Sequence, residues 1–255
     1  MKTLLRLAAL LLIASSCAKV TLKTPSSRFL SPEAKGELLA GNIDLSYQVG
    51  TKATITIEKD SDQIELSQGN ADLILNAALG LTKNIDFFIY NYAESAPMIG
   101  IKYQFSGKPR SRAKEDDSSF AVTIAAGASQ RSQTTDIDWF TEDPDGDETT
   151  AVIDQQLYDV SLIYGYRHSN DGLLYTSFQY SIHKASIEMA NENDADINGM
   201  VRSYETANLG VSVGHIYYFN KLHLFKMESS IQQTNWSETK SKTLGFISAA
   251  WGLHW

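Results

Sequence analysis

Eight carboxylates and no Lys or Arg lie between Asp136 and Asp154, the densest concentration of one charge in the chain. Within it Asp143, Asp145 and Asp147 alternate, and Asp154 stands at the twelfth position counted from Asp143, the spacing with which a loop offers oxygen ligands to Ca²⁺. The sixth position, where such a loop needs Gly for its sharp turn, holds Glu148, so a solvated acidic loop is the competing reading. His168 and Ser169 pair a base with a hydroxyl, as nucleophilic chemistry requires. Adjacent residues of a strand face opposite ways, however, so the base would not reach the nucleophile. A third group, Lys102, Gln104, Arg167, Gln179 and His183, is polar and falls on strand faces that are otherwise small. These residues either line a narrow solute pathway or pair within a plugged interior. His215, His223 and His254 show no ligand spacing.

The elements that would position these groups are strands. Apolar residues alternate with small or polar ones along Ile43 to Val49, Ile99 to Phe105, Phe120 to Ala126, Tyr158 to Tyr166, Leu174 to Ile182 and Leu209 to Phe219. Ser169-Asn170-Asp171-Gly172 and Asn220-Lys221 are tight turns, whereas residues 134–154 and 191–199 are long polar connections. Ala53 to Ile57 and Gln63 to Leu66 read as short strands of their own, which brings the count to twelve; dropping a weak early strand gives ten. The last stretch organises the rest. Ile247, Ala249, Trp251, Leu253 and Trp255 share one face, and Ser248, Ala250, Gly252 and His254 the other. A soluble sandwich would hide its apolar face and show its polar one. Here aromatic residues gather near strand ends and the small faces are rich in Gly, Ser and Ala, the pattern of a wall with lipid outside.

Met1 to Ser16 carries Lys2 and Arg6, then the apolar run Leu7 to Ile13, then small residues, which reads as a secretory signal too short to span a membrane as a helix. No other stretch is apolar enough to span as a helix, so any crossing is by strands. Lys2 and Arg6 leave with the signal, so 22 basic residues become 20 against 30 acidic, a net of −10 that argues against nucleic acid as a partner. The single cysteine, Cys17, follows Ala14-Ser15-Ser16 and excludes an internal disulfide.

Three resemblances follow from these residues. The Gly245 to Trp255 strand, ending on an aromatic residue, resembles the closing strand of bacterial outer-membrane β-barrel proteins, which the barrel assembly machinery reads. The segment ending at Cys17 resembles a bacterial lipoprotein signal, with Ala14 where the pattern prefers Leu, and this implies lipidation of Cys17. Tyr166-Arg167-His168-Ser169-Asn170 is similar to the His-x-Ser-Asn motif of outer-membrane lipid-modifying enzymes, but lacks the intervening residue. The expectation is an all-β protein, an antiparallel up-and-down transmembrane β-barrel: residues 1–16 a signal, 17–35 a lipidated start and tether, 36–255 the barrel. Its expected place is the outer membrane of a Gram-negative bacterium, among lipid and lipopolysaccharide. The expected role is non-enzymatic, structural or a small passive channel. The alternative is a surface-binding barrel that uses its acidic loops on a partner. No cofactor is expected beyond Ca²⁺ at the acidic loop.

Overall fold

A computed structural model describes residues 18–57, 61–92, 94–135, 149–190, 198–220, 222–236 and 240–255. Eleven strands run through them: β1 Ala18–Thr24, β2 Gly41–Ile57, β3 Asp62–Gly80, β4 Ile85–Tyr90, β5 Met98–Ser106, β6 Ser118–Thr135, β7 Thr149–Ser169, β8 Gly172–Ala190, β9 Val201–Tyr218, β10 His223–Trp236 and β11 Lys240–His254. Each of β2 to β11 pairs antiparallel with its neighbours in sequence, and β11 returns to β2. These ten form a closed up-and-down barrel; β1 is not one of the ten and pairs with the far half of β2, its residues Ala18, Val20 and Leu22 buried. Closure leaves the wall without a long free edge at the height where β2 and β11 meet, the condition for spanning lipid with strands.

Among the described residues the ring has ten strands, the smaller of the two expected counts, because Ala53–Ile57 and Gln63–Leu66 are not separate strands. They are the far ends of β2 and β3, paired from Thr51↔Gln68 to Ile57↔Asp62. A register shift between Val49 and Thr51 changes which parity faces inward, from Ser46 and Gln48 to Ala53 and Ile55. A bulge of this kind breaks the period-two pattern without ending the strand.

Polarity reverses along the long strands. In the part of β7 and β8 nearer the Ser169–Gly172 turn, Tyr158, Val160, Leu162, Phe178 and Tyr180 are exposed while Asp159, Ser161, Ser177 and Gln179 are buried. Further out, Asp154, Gln156, Lys184 and Glu188 are exposed, whereas Ala151, Ile153, Ala185, Ile187 and Met189 are buried. The first zone is a wall with an apolar outside and a polar inside. The second is built like a water-soluble sandwich. At about 3.3 Å per residue the 21 residues of β7 reach roughly 70 Å, about twice what a tilted strand of some ten residues needs to cross a bilayer. The surplus rises clear of the lipid on the side away from the tight turns, and its interior is closed by an apolar roof: Ala18, Val20 and Leu22 of β1 against Ile55, Ile57, Ile153, Ile187, Met189, Tyr204 and Trp236.

This roof also explains why residues 134–154 read as one long loop. β6 continues to Thr135 and β7 begins at Thr149, with polar outer faces that mask their alternation in the sequence. Asp143, Asp145 and Asp147 lie outside the described residues, as do 191–197 of the second acidic connection. Asp154 is not in a loop: it is exposed on the outer face of β7, opposite Gln130 and Ser186.

Candidate functional site in the barrel lumen

Of the expected lipidated start and tether, 17–35, the described residues from Ala18 onward run through the interior of the barrel. Ser26, Ser27, Arg28, Phe29, Glu33 and Ala34 are all buried. The physical reason is charge and backbone matching. Beyond β1, the stretch rich in Pro and Ser has no ladder of its own, and the small, polar inner face supplies the donors and acceptors that it lacks. Two wall glycines make room for it. A Cβ on Gly50 would sit 2.3 Å from the Thr24 carbonyl oxygen, and one on Gly165 would sit 2.4 Å from the Pro32 ring.

From the roof inward, Lys23 bridges Asp72 and Glu94 at 3.1 Å each. Ser27 meets Ser248, hydroxyl to hydroxyl, at 2.9 Å, and Gln179 donates to the Ser26 carbonyl at 3.0 Å. At mid-height the Arg28 guanidinium donates from Nε and Nη2 to one Asp159 oxygen at 3.0 and 2.8 Å. Beside it the Glu228 carboxylate accepts the backbone N–H groups of Arg28 and Phe29 and the Tyr175 hydroxyl, at 3.2, 3.1 and 2.7 Å. Lys226 reaches the Phe29 carbonyl and Asp44.

Nearer the tight turns, Arg167 holds Glu33 in a two-point fork at 2.6 and 2.8 Å, the geometry that suits guanidinium to carboxylate. Lys102 pairs with Asp86 at 2.8 Å and donates to the carbonyls of Ser31 and Glu33 at 2.9 and 2.6 Å. Gln104 accepts from the Ala34 N–H at 2.6 Å, and Lys35 contacts Asn42.

Of the five residues that parity assigns to the interior, Lys102, Gln104, Arg167 and Gln179 therefore grip the inserted segment directly. His183 lies further out and shares a 3.1 Å hydrogen bond with Gln155. The partners that the sequence reading missed are Arg28 and Glu33 on the segment and Asp44, Asp86, Asp159, Lys226 and Glu228 on the wall. Their signal is present: each of the five wall residues is a charge on the face opposite an apolar row.

Little space remains. The hollow at mid-height, lined by Arg28, Leu30, Asp44, Asn76, Tyr90 and Lys226 among others, measures about 40 Å³, enough for a water molecule or so and not for a solute. A wider vestibule of about 870 Å³ opens at the tight-turn end. There Arg110, from the connection between β5 and β6, stacks over Tyr218 at 4.3 Å, and its backbone N–H donates to the Ala34 carbonyl at 2.8 Å. That connection thus holds the inserted segment at the mouth. In the same region Asp117 is kept below the usual carboxylate range by its hydrogen bonds from Lys108 and the Lys114 N–H.

Among the described residues no hydrogen bond joins the His168 ring to the Ser169 hydroxyl. The His168 imidazole faces that of His215 instead, Nε2 to Nε2 at 2.9 Å, on the outer surface and away from the lumen.

No protein-family model matches the sequence, and no curated protein matches it. Solved structures similar in chain path include the following outer-membrane proteins. The outer membrane protease OmpT of Escherichia coli shares 9% identity at a TM-score of 0.43, with 94% of each chain covered. Ail, the attachment invasion locus protein of Yersinia pestis, shares 14% at 0.36, over 86% of this chain and 99% of that one. A loop-L8 deletion mutant of OmpT, an outer membrane protein of Vibrio cholerae, shares 10% at 0.25, over 94% and 97%. The barrel assignment rests on the closed ring of strands and the apolar outer belt described above.

Proposed function

We propose that this chain is a non-enzymatic barrel of a Gram-negative outer membrane, sealed rather than conducting, that carries a rigid extension above the lipid for recognition at the cell surface. The observation that carries this reading is the filled lumen: residues 18–35 occupy the path that a passive channel would need. The exposed apolar belt supports residence in lipid, with lipopolysaccharide as its outer neighbour and the barrel assembly machinery as the agent of insertion. The polar outer faces of β6 to β9, standing beyond that belt, support the surface-binding alternative over the channel. A sealed barrel that serves the envelope only as structure has the same lumen, and loss of partner binding on trimming the outer hairpins distinguishes the two.

In planar bilayers the purified protein is expected to give no stepwise current at moderate voltage, and a variant lacking residues 18–35 is expected to conduct. Regular current steps from the intact chain would overturn the sealed reading. Lipidation of Cys17 remains part of this proposal. Cys17→Ser is expected to abolish incorporation of a palmitate analogue while leaving the barrel assembled, because the embedded wall is the stronger anchor. Undiminished labelling removes the lipid.

A further inference from the structure

β1 lies antiparallel to the far half of β2, with Ala18 opposite Ile57 and Thr24 opposite Thr51. β2 begins at the other end, where Gly41 exchanges backbone hydrogen bonds with Trp255 at 3.0 and 3.1 Å. Ala18 therefore stands at the roof, remote from the chain's closing residue and from the turns at 170 and 220. From the roof the chain descends past Asp72, Asp159, Arg167 and Asn42 in that order, then enters the wall at Gly41. It has crossed the whole length of the barrel from inside. A tether that stayed on the closing side would make none of these contacts.

We infer that the protein is threaded outward through its own barrel and presents its amino-terminal side at the face with the roof, not at the face with the tight turns. This rests on the proposed orientation, in which the tight turns lie in the periplasm. The threading is permanent on the time scale of the folded state. Withdrawal would expose Val20 and Leu22, break seven backbone pairings with β2 and strip Asp159, Arg167 and Glu228 of their partners in a low-dielectric interior. The ring must accordingly close around a segment already in place. Whatever the processed chain carries before Ala18, including the acyl group proposed for Cys17, is delivered to the cell-surface side of the membrane, the same side as the extension.

Two epitope insertions test this in whole cells, one between Cys17 and Ala18, the other between Asn170 and Asp171. The first is expected to bind antibody on intact cells and the second only after the outer membrane is opened. Labelling of both from the same side overturns the threading. A hidden first epitope with an exposed second keeps the threading but overturns the orientation on which surface display rests. An insertion can also block assembly, so a second measurement uses the opposed pair Val20 and Ile55. In a Cys17→Ser background, Val20→Cys/Ile55→Cys is expected to form a disulfide in the heat-modifiable, membrane-inserted form, seen as a gel shift that reduction removes. A folded barrel with both thiols free would show that β1 is not where the threading requires it.

Discussion

Asp159→Ala is expected to destabilise the barrel by about 3–5 kcal/mol, the cost of leaving one member of a buried ion pair without its partner. Arg28 and Asp159 are among the most enclosed charges of the lumen, with side chains 4% and 1% exposed, and two of the three guanidinium hydrogen bonds go to the carboxylate that the substitution removes. The Pro25 carbonyl would remain as an acceptor, which softens the loss but does not neutralise the charge. The measurement is denaturant unfolding of the inserted barrel, followed by the gel shift between folded and heat-denatured forms. Arg28→Met/Asp159→Leu is the decisive companion. Replacing a buried pair by apolar groups of similar size is often neutral or stabilising, so the double variant should recover most of the stability. If the single and double variants fall equally, the site matters for its shape rather than its charge. If Asp159→Ala changes nothing, Arg28 has water within reach and the lumen is not sealed at mid-height.

The period-two alternation makes the membrane zone legible in the sequence. Tyr158, Val160, Leu162 and Tyr164 against Asp159, Ser161 and Gly165 read directly as outside and inside, and the closing strand declares its lipid face through Ile247, Trp251 and Leu253. Two features resist that reading for physical reasons. The outer halves of the strands invert the pattern, because above the lipid the apolar side must turn inward. Thr149, Ala151 and Ile153 between Thr150, Val152 and Asp154 then look like the end of a loop, and the bulge after Val49 hides the continuity of β2. The inserted segment is harder still. Its place is decided by single charges, Arg28, Lys23, Glu33 and Lys35, meeting partners at sequence separations such as the 131 residues between Arg28 and Asp159. No local period encodes such a contact. Parity identifies Lys102, Arg167 and Gln179 as inward, yet it is silent on whether they face water, one another or another part of the chain.

Deleting Trp251 to Trp255 is expected to prevent stable insertion altogether. β11 meets β2 over a short ladder, from Ala249↔Tyr47 to His254↔Asn42, and the deletion removes every rung from Trp251↔Leu45 onward. It also removes the Gly41 to Trp255 backbone exchange and the hydrogen bond from the Trp255 indole to the Leu39 carbonyl at 2.9 Å. The near ends of β2 and β10 would then each present an unpaired edge within hydrocarbon, where an unsatisfied backbone group costs several kcal/mol and no water is available to compensate. The expected result is loss of the heat-modifiable form from outer-membrane fractions. Normal yield of the truncated chain would mean that the ring closes elsewhere. A terminal aromatic residue read by the assembly machinery predicts the same loss in cells, so spontaneous folding into lipid vesicles is needed to separate the two causes. There Trp255→Ala keeps the ladder and should fold, whereas the truncated chain should not. Failure of both in vesicles would assign the effect to the indole and its contact with Leu39, and folding of both would move the requirement from closure of the barrel to recognition in the cell.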